Sequence, residues 1–232
     1  MPSSYGTFIA AVEGPARGFL CWLAFAVVAI LPAAAQTPAP QAGKTVKVVV
    51  LGDSLTAGLG LPTPAAFPAR LQKSLEVKGM KVEMINAGVS GDTSSGGRDR
   101  LDWSVPEGTD AVILELGAND ALRGIDPRIT RTALADILLR LKARRIAVLL
   151  CGMVAPPNYG ADYSARFNAI YPDLASAFQV PLYPFFLEGV ATDARLNQAD
   201  GLHPTAAGVD VIVKNILPAV EALLSPMMPQ RS

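Results

Sequence analysis

The chain has 232 residues, half of them hydrophobic, and its 20 lysines and arginines balance 20 aspartates and glutamates to a net charge of zero. That length suits one domain with a sizeable core. Zero net charge without a basic stripe excludes nucleic acid as a partner on electrostatic grounds.

Arg17 precedes an apolar run from Phe19 to Leu31, and Pro32-Ala33-Ala34-Ala35-Gln36 follows with an Ala-x-Ala cleavage pattern. This reads as a secretory signal peptide over residues 1–35, cut after Ala35. The run is shorter than the roughly 20 residues a membrane span needs, so no anchor is expected once it is removed. Leu20 directly before Cys21 also suits a lipoprotein signal poorly. Residues 36–44 read as a short Pro/Ala linker. Residues 45–228 are the expected folded domain, a periplasmic or secreted monomer. After cleavage Cys151 is the only cysteine and His203 the only histidine. No intramolecular disulfide and no zinc site can then be built, and no stretch has the spacing of a calcium loop. No metal and no cofactor are expected; Cys151, within an apolar run, reads as a packed thiol.

The β-branched run Val46–Val50 suits a strand buried on both faces and stops at Gly52-Asp53-Ser54-Leu55, where the glycine is expected to let the backbone turn sharply. Pro64–Lys78 reads as a helix with Phe67, Leu71 and Leu75 four apart and Gly79 just past its end. Val82–Ala87 is a second strand, followed by a glycine turn and a short helix capped by Asp92 or Thr93. Ala111–Leu116 is a third strand, ended by Gly117-Ala118-Asn119-Asp120. Asp126 as N-cap and Pro127 as first helical residue start a helix with Leu134, Ile137, Leu138 and Leu141 on its apolar face. Ile146–Leu150 is a fourth strand, Pro156–Gly160 a loop and Asp162–Phe178 a helix. Val180–Tyr183 is a weak fifth strand whose proline suits an edge. Asp200-Gly201-Leu202-His203-Pro204 forms a turn before a last helix from Thr205 to Leu224. Alternating strands and helices imply right-handed βαβ units, and so a three-layer α/β/α domain around a parallel sheet.

In such a sheet the loops after the strands share one edge. Ser54 follows the first strand, Gly91 the second and Asn119 the third; Asp200 and His203 lie on a late loop that can return there. Acyl transfer needs a nucleophile, a base, a carboxylate to orient the base, and oxyanion donors. Ser54, His203 and Asp200 can fill the first three roles. The backbone N–H groups of Ser54 and Gly91 with the Asn119 side chain can supply the fourth, each donor worth on the order of 3 kcal/mol. Each residue also has a plain reading: Gly-Asp-Ser and Asp-Gly are ordinary turn residues, Asn119 suits an Asx turn, and His203 can simply open the last helix. Together they leave no role vacant. No Gly-x-Ser-x-Gly elbow and no phosphate-binding Gly-x-x-x-x-Gly-Lys occur. Ser90, in Gly88-Val89-Ser90-Gly91, is the second choice of nucleophile.

These four stretches resemble the blocks of the GDSL or SGNH hydrolase family: Gly52-Asp53-Ser54-Leu55, Ser90-Gly91-Asp92, Gly117-Ala118-Asn119-Asp120 and Asp200-Gly201-Leu202-His203. Further stretches, Asn86–Ser94, Glu115–Gly124, Pro157–Gly160, Ala169–Pro172 and Pro181–Phe186, look like its exported bacterial thioesterase and arylesterase subgroup. The resemblance implies a flavodoxin-like sheet of five parallel strands. It also implies cofactor-free hydrolysis of carboxylic esters or thioesters, and catalytic roles for Ser54, Gly91, Asn119, Asp200 and His203. Thr56 departs from the serine of many relatives and Ala118 from a glycine; neither supplies a catalytic group. A mobile loop of relatives corresponds to Asp120–Ile125, which makes Leu122 and Pro156 candidates for an acyl groove. The expected substrate is a small ester or thioester with an apolar acyl group. The alternatives are a carbohydrate O-acetylesterase or acyltransferase, and a catalytically silent envelope binding domain.

Overall fold

The computed structural model describes residues 45–228; the expected signal peptide and the whole of the linker lie outside them. Five parallel strands form one sheet in the order β2-β1-β3-β4-β5: β1 Val46–Gly52, β2 Val82–Gly88, β3 Ala111–Glu115, β4 Ala147–Cys151 and β5 Leu182–Tyr183. The three-layer expectation holds. Val48, Val49, Val50 and Leu51 of β1 and every residue of β3 are buried, as continuous apolar runs in a parallel sheet require. Each such Val, Leu or Ile contributes about 1.5–3 kcal/mol by leaving water.

The helices are α1 Ser54–Ala57, α2 Phe67–Val77, α3 Ser94–Asp99, α4 Leu101–Ser104, α5 Ala118–Leu122, α6 Pro127–Ala143, α7 Ala161–Asn168, α8 Ile170–Phe178 and α9 Ala206–Leu224. α2 packs on α9, while α6 packs on α3 and α8, the two helical layers that right-handed crossovers in this strand order produce. Phe67 meets Phe186 edge to face at 5.0 Å. Asp126 caps α6 by accepting from Arg128 N–H. Thr93 rather than Asp92 caps α3, accepting from Gly96 N–H at 3.2 Å. No helix among the described residues is long and apolar enough to cross a membrane.

Two expectations are corrected. The single helix over 162–178 is two helices meeting at Ala169. Pro172 has no N–H for the Asn168 carbonyl four residues back, and its ring crowds that carbonyl, so the chain restarts one turn earlier. The fifth strand is only Leu182–Tyr183, at the sheet edge beside β4. Pro181 offers its carbonyl to Leu150 N–H at 3.0 Å but has no N–H to return.

The strand order reverses between β1 and β3: the chain leaves β1 for β2 on one side, then crosses to β3 on the other. The crevice at the carboxyl ends of β1 and β3 is where doubly wound sheets hold their ligands. Into it presses α1. Gly88 at the end of β2 permits this, since a Cβ there would lie 2.2 Å from Ala57 N and 2.8 Å from Asp53 O. Gly88→Ala should therefore lower the midpoint of chemical unfolding by the equivalent of about 1–3 kcal/mol, with an unchanged denaturant slope. An unshifted midpoint would contradict the packing of α1 on β2.

Candidate active site

Ser54 is the first residue of α1 and is almost wholly buried. Asp53, the N-cap, accepts from Leu55 N–H through Oδ1 at 2.9 Å, and Gly58 closes the helix in the left-handed region at φ +80°. The sharp turn expected of Gly52 is not what that glycine provides, for its φ is not left-handed. A Cβ there would lie 2.1 Å from Thr56 Oγ1 and 2.4 Å from Glu115 Oε2, so glycine is needed for room.

His203 comes from the loop ahead of α9, 149 residues further on, and its Nε2 lies 2.9 Å from Ser54 Oγ. Its Nδ1 lies 2.6 Å from Asp200 Oδ2. Asp200 closes the turn on itself: Oδ1 accepts from Leu202 N–H at 2.9 Å and His203 N–H at 3.0 Å. These two backbone donors, then the imidazole, hold the Asp200 carboxyl down at about 2. An ionised carboxylate only accepts, so Nδ1 carries the proton and Nε2 of the neutral ring is left to accept from the Ser54 hydroxyl. Ser90, the alternative nucleophile, is exposed; it is Ser54 that faces the ring.

Asn119 sits in α5, and its Nδ2 donates to Asp53 Oδ2 at 3.0 Å and to the Asp92 carbonyl at 2.9 Å. One amide thus joins the neighbour of Ser54 to the neighbour of Gly91. Gly91 adopts φ +83°, and its carbonyl accepts from Arg123 Nη2 at 2.8 Å. Beneath it Arg100 ties the strand ends together: Nε to Asp92 at 2.6 Å, Nη1 to the Ala87 carbonyl and Nη2 to the Gly52 carbonyl, both at 2.8 Å. Asp120 is fully buried inside α5, where it accepts from Ser94 N–H, Ser94 Oγ and Thr130 Oγ1. The expected loop from Asp120 to Ile125 therefore begins as an anchored helix.

A cleft of about 500 Å³ opens beside Ser54 and His203. Leu122 and Pro156 both line it, with Met153, Val154, Phe185 and Leu187. Tyr159 Oη donates to the Leu122 carbonyl at 2.8 Å, tying one wall to the other. Below, the rings of Tyr159, Tyr163, Phe167 and Tyr171 follow one another at centroid spacings of 5.2, 6.0 and 6.0 Å. Tyr163 Oη donates to the Ile125 carbonyl at 3.0 Å and Tyr171 Oη to the Leu116 carbonyl at 2.9 Å. Among the described residues no group of three or more His, Cys, Asp or Glu side chains is placed to hold a metal ion.

The family model of the GDSL-like lipase/acylhydrolase family matches residues 50–211. Esterase TesA of Pseudomonas aeruginosa is 41% identical over 178 residues, 76% of this chain and 89% of that protein. The chain belongs to the GDSL-like lipase/acylhydrolase family. Thioesterase 1/protease 1/lysophospholipase L1 of Escherichia coli is 42% identical over 158 residues, 68% of this chain and 74% of that one. The crystal structure of AlinE4, an SGNH-hydrolase family esterase, superposes with a TM-score of 0.66 at 42% identity, covering 81% of this chain and 99% of that one. This chain is accordingly an enzyme, an ester hydrolase with an SGNH fold.

Several site residues of this hydrolase carry no spacing signal. Arg100 and Asp120 act through partners remote along the chain. Glu115 does leave a trace, as the one charged residue in the apolar run Ala111–Leu116. Asp53 is buried against Asn119 and Leu55 N–H. Burial pushes its carboxyl up to about 6, against the pull of the Leu55 and Asn119 donors and the nearby imidazole. Its neutral form favours the folded state below the ordinary carboxylate value, and that contribution, about 3 kcal/mol, is lost as pH rises through about 6. Asp200 has the opposite sign: its contribution is complete above the ordinary value and fades only as pH falls toward 2. Carboxyl NMR should find Asp53 titrating near pH 6 and Asp200 near pH 2, with the Asp53 signal absent in Asp53→Asn. Two carboxyls titrating together near 4 would contradict these environments.

Proposed function

We propose that the protein is an exported serine esterase or thioesterase in which Ser54, His203 and Asp200 form a catalytic triad. The observation that carries this reading is the single imidazole bonded at once to the Ser54 hydroxyl and the Asp200 carboxylate. Ser54 Oγ attacks the acyl carbonyl as His203 Nε2 takes the hydroxyl proton, and Asp200 stabilises the imidazolium that forms. The negative charge on the carbonyl oxygen is met by Ser54 N–H, Gly91 N–H and the Asn119 amide. Both Asn119 amide hydrogens are held by Asp53 and Asp92 in the free enzyme, so donation to the oxyanion exchanges one of those bonds. His203 passes its proton to the departing alkoxide or thiolate, leaving an acyl-enzyme. It then removes a proton from water, which attacks the ester carbonyl and releases the carboxylic acid with Ser54 restored.

The apolar cleft suits a hydrocarbon acyl chain lying along Leu122 and Pro156 better than an acetylated sugar, and a complete triad speaks against a silent binding domain. The named relatives, an esterase and a thioesterase/lysophospholipase, agree with a small-molecule ester or thioester substrate. Signal-like residues 1–35 support release into the periplasm or medium without a lasting anchor.

Labelling by a serine-directed phosphonate should vanish in Ser54→Ala, and kcat should fall about 10⁴-fold or more in Ser54→Ala and His203→Ala. Asn119→Ala should cost about 10²–10³ in kcat. Undiminished labelling of Ser54→Ala would overturn the assignment. Leu122→Trp should shift the preferred acyl length on p-nitrophenyl esters toward shorter chains. An unchanged chain-length series would remove Leu122 from the groove.

A further inference from the structure

Glu115 takes no part in the chemistry above, yet it is fully buried directly behind the nucleophile. It ends β3, beside Gly52 of β1 and Cys151 of β4 in the register of the sheet. Its Oε2 accepts from Thr56 Oγ1 at 2.6 Å and from Asp53 N–H at 3.3 Å. One oxygen therefore grips the chain on both sides of Ser54. The bare Cα of Gly52 leaves the space in which that carboxyl and the Thr56 hydroxyl meet. Oε1, also buried, has no hydrogen-bond partner among the described residues.

We infer that Glu115 is a positioning residue for Ser54, holding the Asp53–Thr56 turn so that the serine hydroxyl stays aimed at His203. The inference rests on the reading of Ser54 as nucleophile. Glu115 does this as a neutral acid. The titratable groups facing it are Asp53 from the turn, Cys151 from β4 and Tyr171 from α8, none of them a cation. Arg100, close by, gives its donors to Gly52, Ala87, Ser104 and Asp92. Burial, reinforced by Asp53, holds the carboxyl well above its ordinary range. A protonated acid can still accept from both donors through Oε2. Thr56 accordingly contributes through the hydroxyl it donates to Glu115.

The test compares Glu115→Leu, Glu115→Gln, Thr56→Val and Thr56→Ser in the full-length enzyme, with Ser54→Ala as control. It reads the phosphonate labelling rate and kcat and KM on a short p-nitrophenyl ester. Glu115→Leu should label about 10–100-fold more slowly and lose kcat in proportion with little change in KM, since a small misplacement of a reacting group costs that much. Glu115→Gln, the isostere of the neutral acid, should recover most of that loss. Thr56→Val should be slow and Thr56→Ser should recover, which keeps the test open if Glu115→Leu does not fold. Wild-type labelling in Glu115→Leu or Thr56→Val would overturn the inference, as would Glu115→Gln as slow as Glu115→Leu. Persistent labelling of Ser54→Ala would instead overturn the nucleophile assignment on which the inference stands.

Discussion

The structure turns on one imidazole held from both sides, by a carboxylate at 2.6 Å and a serine hydroxyl at 2.9 Å. The ring and its carboxylate belong to one self-closed turn, so they arrive as a unit. The hydroxyl comes from the opposite end of the domain. Their meeting depends on a parallel sheet, in which every strand delivers its following loop to the same edge, and on the reversal of strand order beside β1.

Close approach at that edge is achieved by leaving atoms out. Gly52 and Gly88 are register partners on β1 and β2, and each would drive a Cβ into α1 or its supports. Gly117 needs both its φ of +117° and the space that the Tyr171 hydroxyl fills. With these side chains absent, backbone and polar groups stack several layers deep, and nearly all of them find partners. The layer is expensive to bury, and its hydrogen bonds offset much of that cost.

The sheet and the long helices were legible because their signals are local. β-branched runs mark the buried strands, and the four-residue recurrence of Phe67, Leu71 and Leu75 marks α2. α1, α4 and α5 span four or five residues, too few for a period to show. The division at Ala169 is set by the backbone demands of Pro172, which apolar spacing does not register. Ser54 and His203 stood out through a strand-end turn and through scarcity, since a chain with one histidine leaves one choice of imidazole. Arg100 bonds residues 8, 13 and 48 positions away, and Asp120 bonds Ser94 26 positions away. No spacing rule connects such pairs. Glu115 is intermediate: its charge is conspicuous in an apolar strand, but only the fold shows that Thr56 is its partner.

The aromatic column under the cleft has a consequence for how such an enzyme diversifies. Its three tyrosine hydroxyls hold the carbonyls of Leu116, Leu122 and Ile125, on either side of the segment that carries both the Asn119 amide and a wall of the cleft. Groove width and amide placement therefore share one mechanical support. Any drift that resizes the cleft by tilting those rings also moves the Asn119 amide against Asp53 and Asp92, so a change in width and a change in that amide's position act through the same few phenols.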